Sequence, residues 1–316
     1  MAEALVTAGL GRKYGKTWAL RDLDLTIERG SIFGLLGSNG AGKTTTLRML
    51  STLLLPSVGR AWIDGFDVMR EPRLVRSRVG YMPDSFGVYD DLTVTEYLEF
   101  YATAHGVRRH GRDRLLRDLL TVVGLEHRAD GFVDVLSRGM KQRLGLARCL
   151  VHDPPVVLLD EPASGLDPLA RHELQAILRE LAAMGKTVVI SSHILPELGE
   201  LCSHAGIVEG GRLLVQGTVV DLLARENVGR KLIIDVDADE TAVSAATLLE
   251  GEAGVTAVDV EGTRLSATLT TPPEADHVLF GLLGRARVPV LRFGRQPASL
   301  EDVYFSATGN AGIAAS

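Results

Sequence analysis

Residues 37–44 read GSNGAGKT, between an apolar run at Ile32–Leu36 and a helical pattern over residues 44–50. This is the spacing G-x-x-x-x-G-K-[ST] in the context that gives it meaning, a buried strand turning sharply into a helix. Glycines let consecutive backbone N–H groups point into one tight loop, the helix N-terminus adds positive potential, and Lys43 supplies an ammonium for outer phosphates. The whole stretch, Gly37, Ser38, Asn39, Gly40, Ala41, Gly42, Lys43, Thr44 and the following Thr45, is therefore a candidate phosphate-binding segment, with the Thr44 hydroxyl as a candidate Mg²⁺ ligand. The plain alternative is a Gly-rich strand-to-helix turn without a ligand, and the correct flanks weigh against it.

A second stretch, residues 156–161, reads VVLLDE, an apolar strand ending in two carboxylates. Ligands of an open α/β sheet bind at the carboxyl ends of its strands, which would bring Asp160 and Glu161 beside the loop after Leu36. Asp160 is then the expected organiser of Mg²⁺. Glu161 is placed to polarise an attacking water as general base, with Mg²⁺ and Lys43 stabilising charge on the transferring phosphoryl group. An acidic pair ending a strand is ordinarily a solvated turn. Paired with GSNGAGKT, it reads as catalytic.

The remaining composition sets limits. A chain of 316 residues suits one medium domain and one smaller one, and 46% apolar with 23% charged residues is ordinary for a globular protein. A formal charge of −6 offers no footprint for wrapping a polyanion, so no nucleic acid is expected as partner. Cys149 and Cys202 are the only cysteines, which indicates neither a disulfide framework nor a zinc site and suits a reducing compartment. The opening MAEALVTAGLGRKYG lacks the pattern of a signal peptide. The longest apolar runs fall short of the ~18 residues a spanning helix needs, so a membrane role would come through a partner.

Short apolar runs alternate with helical patterns from about residue 30 to 215, as an α/β domain with a largely parallel sheet requires. Between about 91 and 150 the spacing turns purely helical, which reads as a helical insertion. After about 225 the expected order is strand 232–236, helix 241–249, strand 255–260, strand 264–269, helix 275–283, strand 288–293, the order of a ferredoxin-like split βαβ unit. Residues 225–230 read as a linker and residues 309–316 as a frayed tail. The expected domains are thus 1–224 and 231–308.

Further motifs carry a family resemblance. Residues 136–143, LSRGMKQR, resemble the signature of ABC-type ATPases, usually LSGGQ. Residues 164–168 (SGLDP) resemble the family's D-loop, and the SSH ending in His193 its switch histidine. Tyr14 in RKYGKTWAL resembles the aromatic residue that stacks on adenine. The motifs fall in the family's order over about residues 5 to 220. The resemblance implies an α/β fold, a P-loop ABC-type ATPase core with an antiparallel β subdomain and a helical insertion, followed by the small α+β C-terminal domain. It implies ATP and Mg²⁺ as cofactors, Tyr14, Ser137, Gly139 and Asp167 as nucleotide contacts, and His193 beside Glu161 and Lys43 in catalysis. Taken alone, Tyr14 is an ordinary surface aromatic, His193 a satisfied strand-end histidine, and Ser137 the N-cap of a helix. In the family the signature of one subunit closes on ATP held by another, so one loop and one signature per chain imply a second ATPase subunit, a copy or a paralogue.

Two departures stand out. Residues 78–85 read RVGYMPDS, with Asp84 where the family commonly has Gln; a carboxylate can still bind Mg²⁺, but it adds a charge and loses an amide donor. Arg138 and Met140 replace the usual Gly and Gln of the signature, while Ser137 and Gly139 are intact. Beyond residue 220 the chain resembles ATPase subunits of exporters for drugs, lipids or polysaccharides, which often end in a phrase like SLEDVYF, here residues 299–305. The plain reading of that phrase is the apolar face of a last helix. The expected function is ATP hydrolysis that drives export through a separate membrane-spanning permease, from the cytoplasmic side of the cell membrane. The alternatives are a soluble ABC-type ATPase acting on ribosomes or DNA, for which the chain lacks tandem modules and a long coiled coil, and an ATP-gated clamp without useful turnover, motivated by Asp84 and Met140.

Overall fold

The computed structural model describes residues 3–85, 87, 91–225, 231–270, 276–296 and 299–309. The chain clusters as two units: among the described residues one runs to Val219 and takes in the chain again over 304–309, and the other is Val220–Val303.

In the first unit β1 (Glu3–Tyr14), β2 (Thr17–Leu23) and β3 (Thr26–Glu28) precede β4 (Ile32–Leu36), which turns into α1 (Lys43–Leu50). Then come β5 (Val58–Ile63), β6 (Phe66–Asp67), α2 (Pro72–Arg78) and β7 (Val79–Met82). A helical stretch follows, α3 (Val94–Ala104), α4 (Arg112–Val122) and α5 (Arg138–Leu150). The chain returns to α/β alternation with β8 (Val156–Asp160), α6 (Pro168–Ala183), β9 (Thr187–Ser192), α7 (Leu195–Leu201), β10 (His204–Glu209) and β11 (Arg212–Thr218).

Two sheets result. β1 pairs antiparallel with β2, β3 and β5, and β5 with β6. The larger sheet has the order β11-β10-β4-β9-β8-β7, parallel throughout except for the β10–β11 edge. Every residue of β4, β8 and β9 is buried. Central strands of a parallel sheet are covered on both faces, which is why residues 32–36, 156–159 and 188–190 read in sequence as continuous apolar runs rather than alternating ones. The helical stretch is held by caps written in its sequence. Thr93 and Glu96 form a capping box at the start of α3, and Ser137 accepts from the N–H of Met140 at the start of α5.

In the second unit α8 (Val219–Arg225) leads to β12 (Lys231–Val236), α9 (Asp239–Glu250), β13 (Val255–Glu261), β14 (Arg264–Leu269), α10 (Asp276–Arg285) and β15 (Val290–Arg295); α11 (Leu300–Thr308) follows, with only Leu300–Val303 in this unit. The sheet order is β13-β14-β12-β15, all antiparallel, which is the split βαβ arrangement. The alternation of buried residues along β12 and β14 sets one face of that sheet against Ala242, Ala245 and Leu249 of α9 and Leu279 and Leu283 of α10. The expected extent of this unit, 231–308, differs at its far edge. Residues 304–309 cluster with the first unit, where the Tyr304 hydroxyl donates to Glu209 at the end of β10. Residues 226–230 of the expected linker and 310–316 of the expected tail lie outside the described residues.

Candidate active site

Strand register decides what meets at the carboxyl edge of the large sheet. Leu36 lies opposite Ser192, and Asp160 opposite Ser191. The next residues along the three strands, Gly37, His193 and Glu161, therefore leave the sheet side by side, although they are far apart in sequence. Close approach explains the glycines of the loop. A Cβ on Gly37 would lie 2.1 Å from the Val208 carbonyl oxygen, and one on Gly42, which caps α1 at φ 111°, 2.7 Å from that of Ala19.

Lys43 is 6% exposed, and its ammonium donates to the carbonyls of Gly37 (2.7 Å) and Ser38 (3.1 Å). It also stands 3.5 Å from Glu161 Oε1. Thr44 Oγ1 donates to Asp160 Oδ1 at 3.1 Å. Buried Ser191 organises both carboxylates: its hydroxyl donates to Asp160 Oδ1 at 2.6 Å and accepts the backbone N–H of Glu161 at 3.0 Å. Glu161 has φ 48°, a left-handed conformation that costs a non-glycine residue roughly 1–2 kcal/mol. Its N–H is fixed there by Ser191, and its Oε2 accepts from His193 Nδ1 at 2.8 Å. One carboxylate oxygen of Glu161 thus faces a lysine and the other a histidine.

Lys43, Thr44, Glu161 and His193 share a cleft of about 370 Å³, lined by Asn39, Gly40 and residues 42–45 of the loop and by Asp84, Glu161, Ser164 and His193. A divalent cation suits its donors. Asp160 Oδ2 is buried with no hydrogen-bond partner, and the Thr44 hydroxyl lies beside the other oxygen of the same carboxylate. Among the described residues no cluster of three or more His, Cys, Asp or Glu could hold a metal by itself, so phosphate and water oxygens would have to complete the shell, as hard cations accept.

Gly37, Ser38, Ala41, Tyr14, Ser137, Gly139, Asp167 and the buried Asp160 do not line this cleft. Tyr14 is 48% exposed, with the Arg12 guanidinium 4.8 Å from its ring centre. Asp167 caps α6 by accepting from the Ala170 N–H at 2.8 Å. Gly139 faces that same turn, and a Cβ there would sit 2.7 Å from Ala170 Cβ. Arg138, one of the signature departures, donates to the Ser164 carbonyl at 2.8 Å and covers Gly165, where a Cβ would meet the guanidinium carbon at 2.6 Å.

Sequence reasoning missed two residues of this neighbourhood. Ser191 is the first serine of SSH, and its signal was a hydroxyl residue directly after the apolar run 188–190. Glu209, which accepts the Ser38 hydroxyl at 2.7 Å, carried the same mark as Asp160, a carboxylate ending an apolar strand.

The sequence model of the ABC transporter family matches residues 20–164. The Nod factor export ATP-binding protein I of Ralstonia nicotianae is 35% identical over 305 residues, covering 96% of this chain and 94% of its own. ABC transporter ATP-binding protein NatA of Bacillus subtilis is 37% identical over 209 residues, 66% of this chain and 85% of its own. Among solved structures, an ATP binding subunit of an ABC transporter superposes with a TM-score of 0.64 at 33% identity, covering 70% of this chain and 92% of that one. CbiO1 from Clostridium perfringens, part of the ABC transporter complex cbiONQ, gives 0.65 at 28% identity, over 72% and 92%. The chain belongs to the ATP-binding subunits of ABC transporters. Within that family it is an ATPase subunit of the export type, of a class that dimerises and works with separate membrane permease components.

Proposed function

We propose that this chain holds one half of a composite ATP site, and that two such subunits close around ATP to drive a permease that exports its substrate. The observation that carries the reading is a separation. Residues 42–45, Glu161 and His193 share one cleft, whereas Ser137, Gly139 and Asp167 lie outside it. A second subunit, a copy or a paralogue, would bring its own signature to that cleft. Tyr14 would stack on the adenine.

Within the cleft the loop N–H groups and Lys43 bind and orient the phosphates. Glu161 accepts a proton from the attacking water through its carboxylate, and the hydrogen bond from His193 keeps that carboxylate turned into the site. Lys43, already against Glu161 Oε1, balances its charge and the charge developing on the phosphoryl oxygens. Mg²⁺, held by Thr44 and Asp160 with Asp84 lining the same cleft, would supply further charge stabilisation when bound. Residues 1–224 carry this chemistry, and the expected accessory domain from residue 231 ends before Tyr304.

Among the described residues no helix is long and apolar enough to cross a membrane. The chain would therefore sit on the cytoplasmic face through its permease. Affinity purification from detergent-extracted membranes tests this: the expected result is co-purification with an integral membrane protein, and recovery with ribosomes alone would overturn the exporter reading.

A further inference from the structure

Ser38 is the second residue of the phosphate loop, yet it turns away from the cleft toward a carboxylate. Its hydroxyl donates to Glu209 Oε1 at 2.7 Å and its backbone N–H to Glu209 Oε2 at 3.3 Å. The same Oε2 accepts the Tyr304 hydroxyl at 2.8 Å. On its other side the Ser38 carbonyl accepts Lys43 Nζ at 3.1 Å. An unbroken chain of hydrogen bonds therefore runs from Tyr304 through Glu209 and Ser38 to the buried lysine. Glu209 reaches the loop by strand register, since β10 pairs with β4 and Ile207 lies opposite Leu36. Tyr304 comes from 95 residues further along the chain, in the stretch that clusters with the first unit.

The rest of the 299–305 phrase has ordinary helical duties. Ser299 and Asp302 cap α11 reciprocally, the Ser299 N–H donating to Asp302 Oδ2 at 2.9 Å and the Asp302 N–H to Ser299 Oγ at 3.2 Å. Leu300 and Val303 are buried. Capping and an apolar face leave the Tyr304 hydroxyl unexplained, because phenylalanine would serve both equally. A carboxylate beside a phosphate loop also opposes an incoming polyanion unless its charge is taken up by donors, and here Tyr304 and Ser38 supply three. Partial burial alone would raise the Glu209 carboxyl, but the hydrogen bonds from Ser38 and Tyr304 hold it below the usual carboxylate range. Burial, and then the Glu209 carboxylate, raise the Tyr304 phenol, so it stays a donor.

We infer that Tyr304 is a positioning residue of the ATP site, holding Glu209 against Ser38 and so fixing the first turn of the phosphate loop. The inference rests on residues 37–45 being the nucleotide cradle. Ground-state alignment of the loop should govern ATP affinity more than the chemical step. The test uses the full chain with Mg²⁺ and ATP. Tyr304→Phe, which removes one oxygen, should raise KM for ATP about three- to tenfold, the scale of a partly exposed hydrogen bond to a charged group, and leave kcat within about twofold. In a Glu209→Ala background the same substitution should change KM no further. An unchanged KM in Tyr304→Phe, a loss confined to kcat, or an undiminished effect in the Glu209→Ala background would each overturn the inference. Should Tyr304→Phe fail to fold, Glu209→Ala and Ser38→Ala replace it, with non-additive KM effects expected and additive ones contradicting the relay. Lys43→Ala, read by titration with a fluorescent ATP analogue, tests the cradle separately. If it binds as the native chain does, the cradle assignment fails. If it loses binding while Tyr304→Phe is silent, only the relay fails.

Discussion

Ser191→Ala removes one buried hydroxyl and acts on both acidic residues of the site. The hydroxyl accepts the Glu161 N–H, but that N–H has a second acceptor in the Ser191 carbonyl at 3.2 Å, which the substitution leaves in place. The donor side depends on it more. Asp160 is 1% exposed, and without the 2.6 Å bond from Ser191 its Oδ1 would keep the longer one from Thr44 at 3.1 Å, with the Tyr81 phenol beside the same carboxylate. Removing a donor from a buried carboxylate costs about 1.5–3 kcal/mol. With a urea slope of roughly 2–3 kcal/mol per molar, the unfolding midpoint of the first unit should fall by about 0.5–1.5 M. A cation beside Asp160 compensates the same lost donor, so the deficit should shrink with Mg²⁺ and ATP present and be largest in EDTA. Urea unfolding followed by circular dichroism in both conditions measures it. A midpoint shift below about 0.2 M, or a deficit that Mg²⁺ and ATP leave unchanged, would refute the reasoning about Asp160.

Two further outcomes follow from features outside the cleft. Burial, and then neighbouring His105, push His152 down to about 4, while His152 stacks on His105 at 4.1 Å and donates from Nε2 to the Val79 carbonyl. Below the ordinary value near 6.5 the unfolded chain takes up a proton that the folded one refuses, so this contribution is complete above pH 6.5 and declines toward pH 4. Discounted for partial exposure, the loss at pH 5 should be about 1 kcal/mol, and His152→Phe should flatten the dependence of the melting temperature between pH 7 and 5 while lowering it at pH 7. Arg138→Gly removes an exposed hydrogen bond to the Ser164 carbonyl, so the melting temperature should change by only about 1–2 °C. ATPase activity should change by about twofold or more if Arg138 holds residues 164–165 in register with the cleft, and an unchanged rate would remove that role.

Much of the α/β core was legible because its causes are local. Strands buried on both faces must be continuous apolar runs, and a loop pressed against the Val208 and Ala19 carbonyls must carry glycine at 37 and 42, so both leave marks within a few residues. The order of the last strands and helices was legible for the same reason, since the period changes from 2 to 3.6 at each element. Register was not legible. Nothing local tells that Ser191 faces Asp160 rather than any other strand end, or that Glu209 arrives beside Ser38, because both depend on which strands become neighbours. Tyr304 lay in a phrase that reads equally well as a capped amphipathic helix, and only its bond to Glu209 separates it from that helix. Arg138 was legible as a departure from the signature, but the Ser164 carbonyl it binds was not.

The central claim is a composite ATP site with Glu161 as general base. Glu161→Gln keeps the side-chain shape and an oxygen for His193 while removing the basic carboxylate. Phosphate release and analytical ultracentrifugation should be measured on this variant with Mg²⁺ and ATP. Hydrolysis should fall by about 10²–10⁴-fold, the usual scale for a general base, while ATP shifts the protein from monomer to a lasting dimer. Hydrolysis at the native rate would contradict the account, and a protein that remains monomeric with ATP bound would contradict the pairing of two copies.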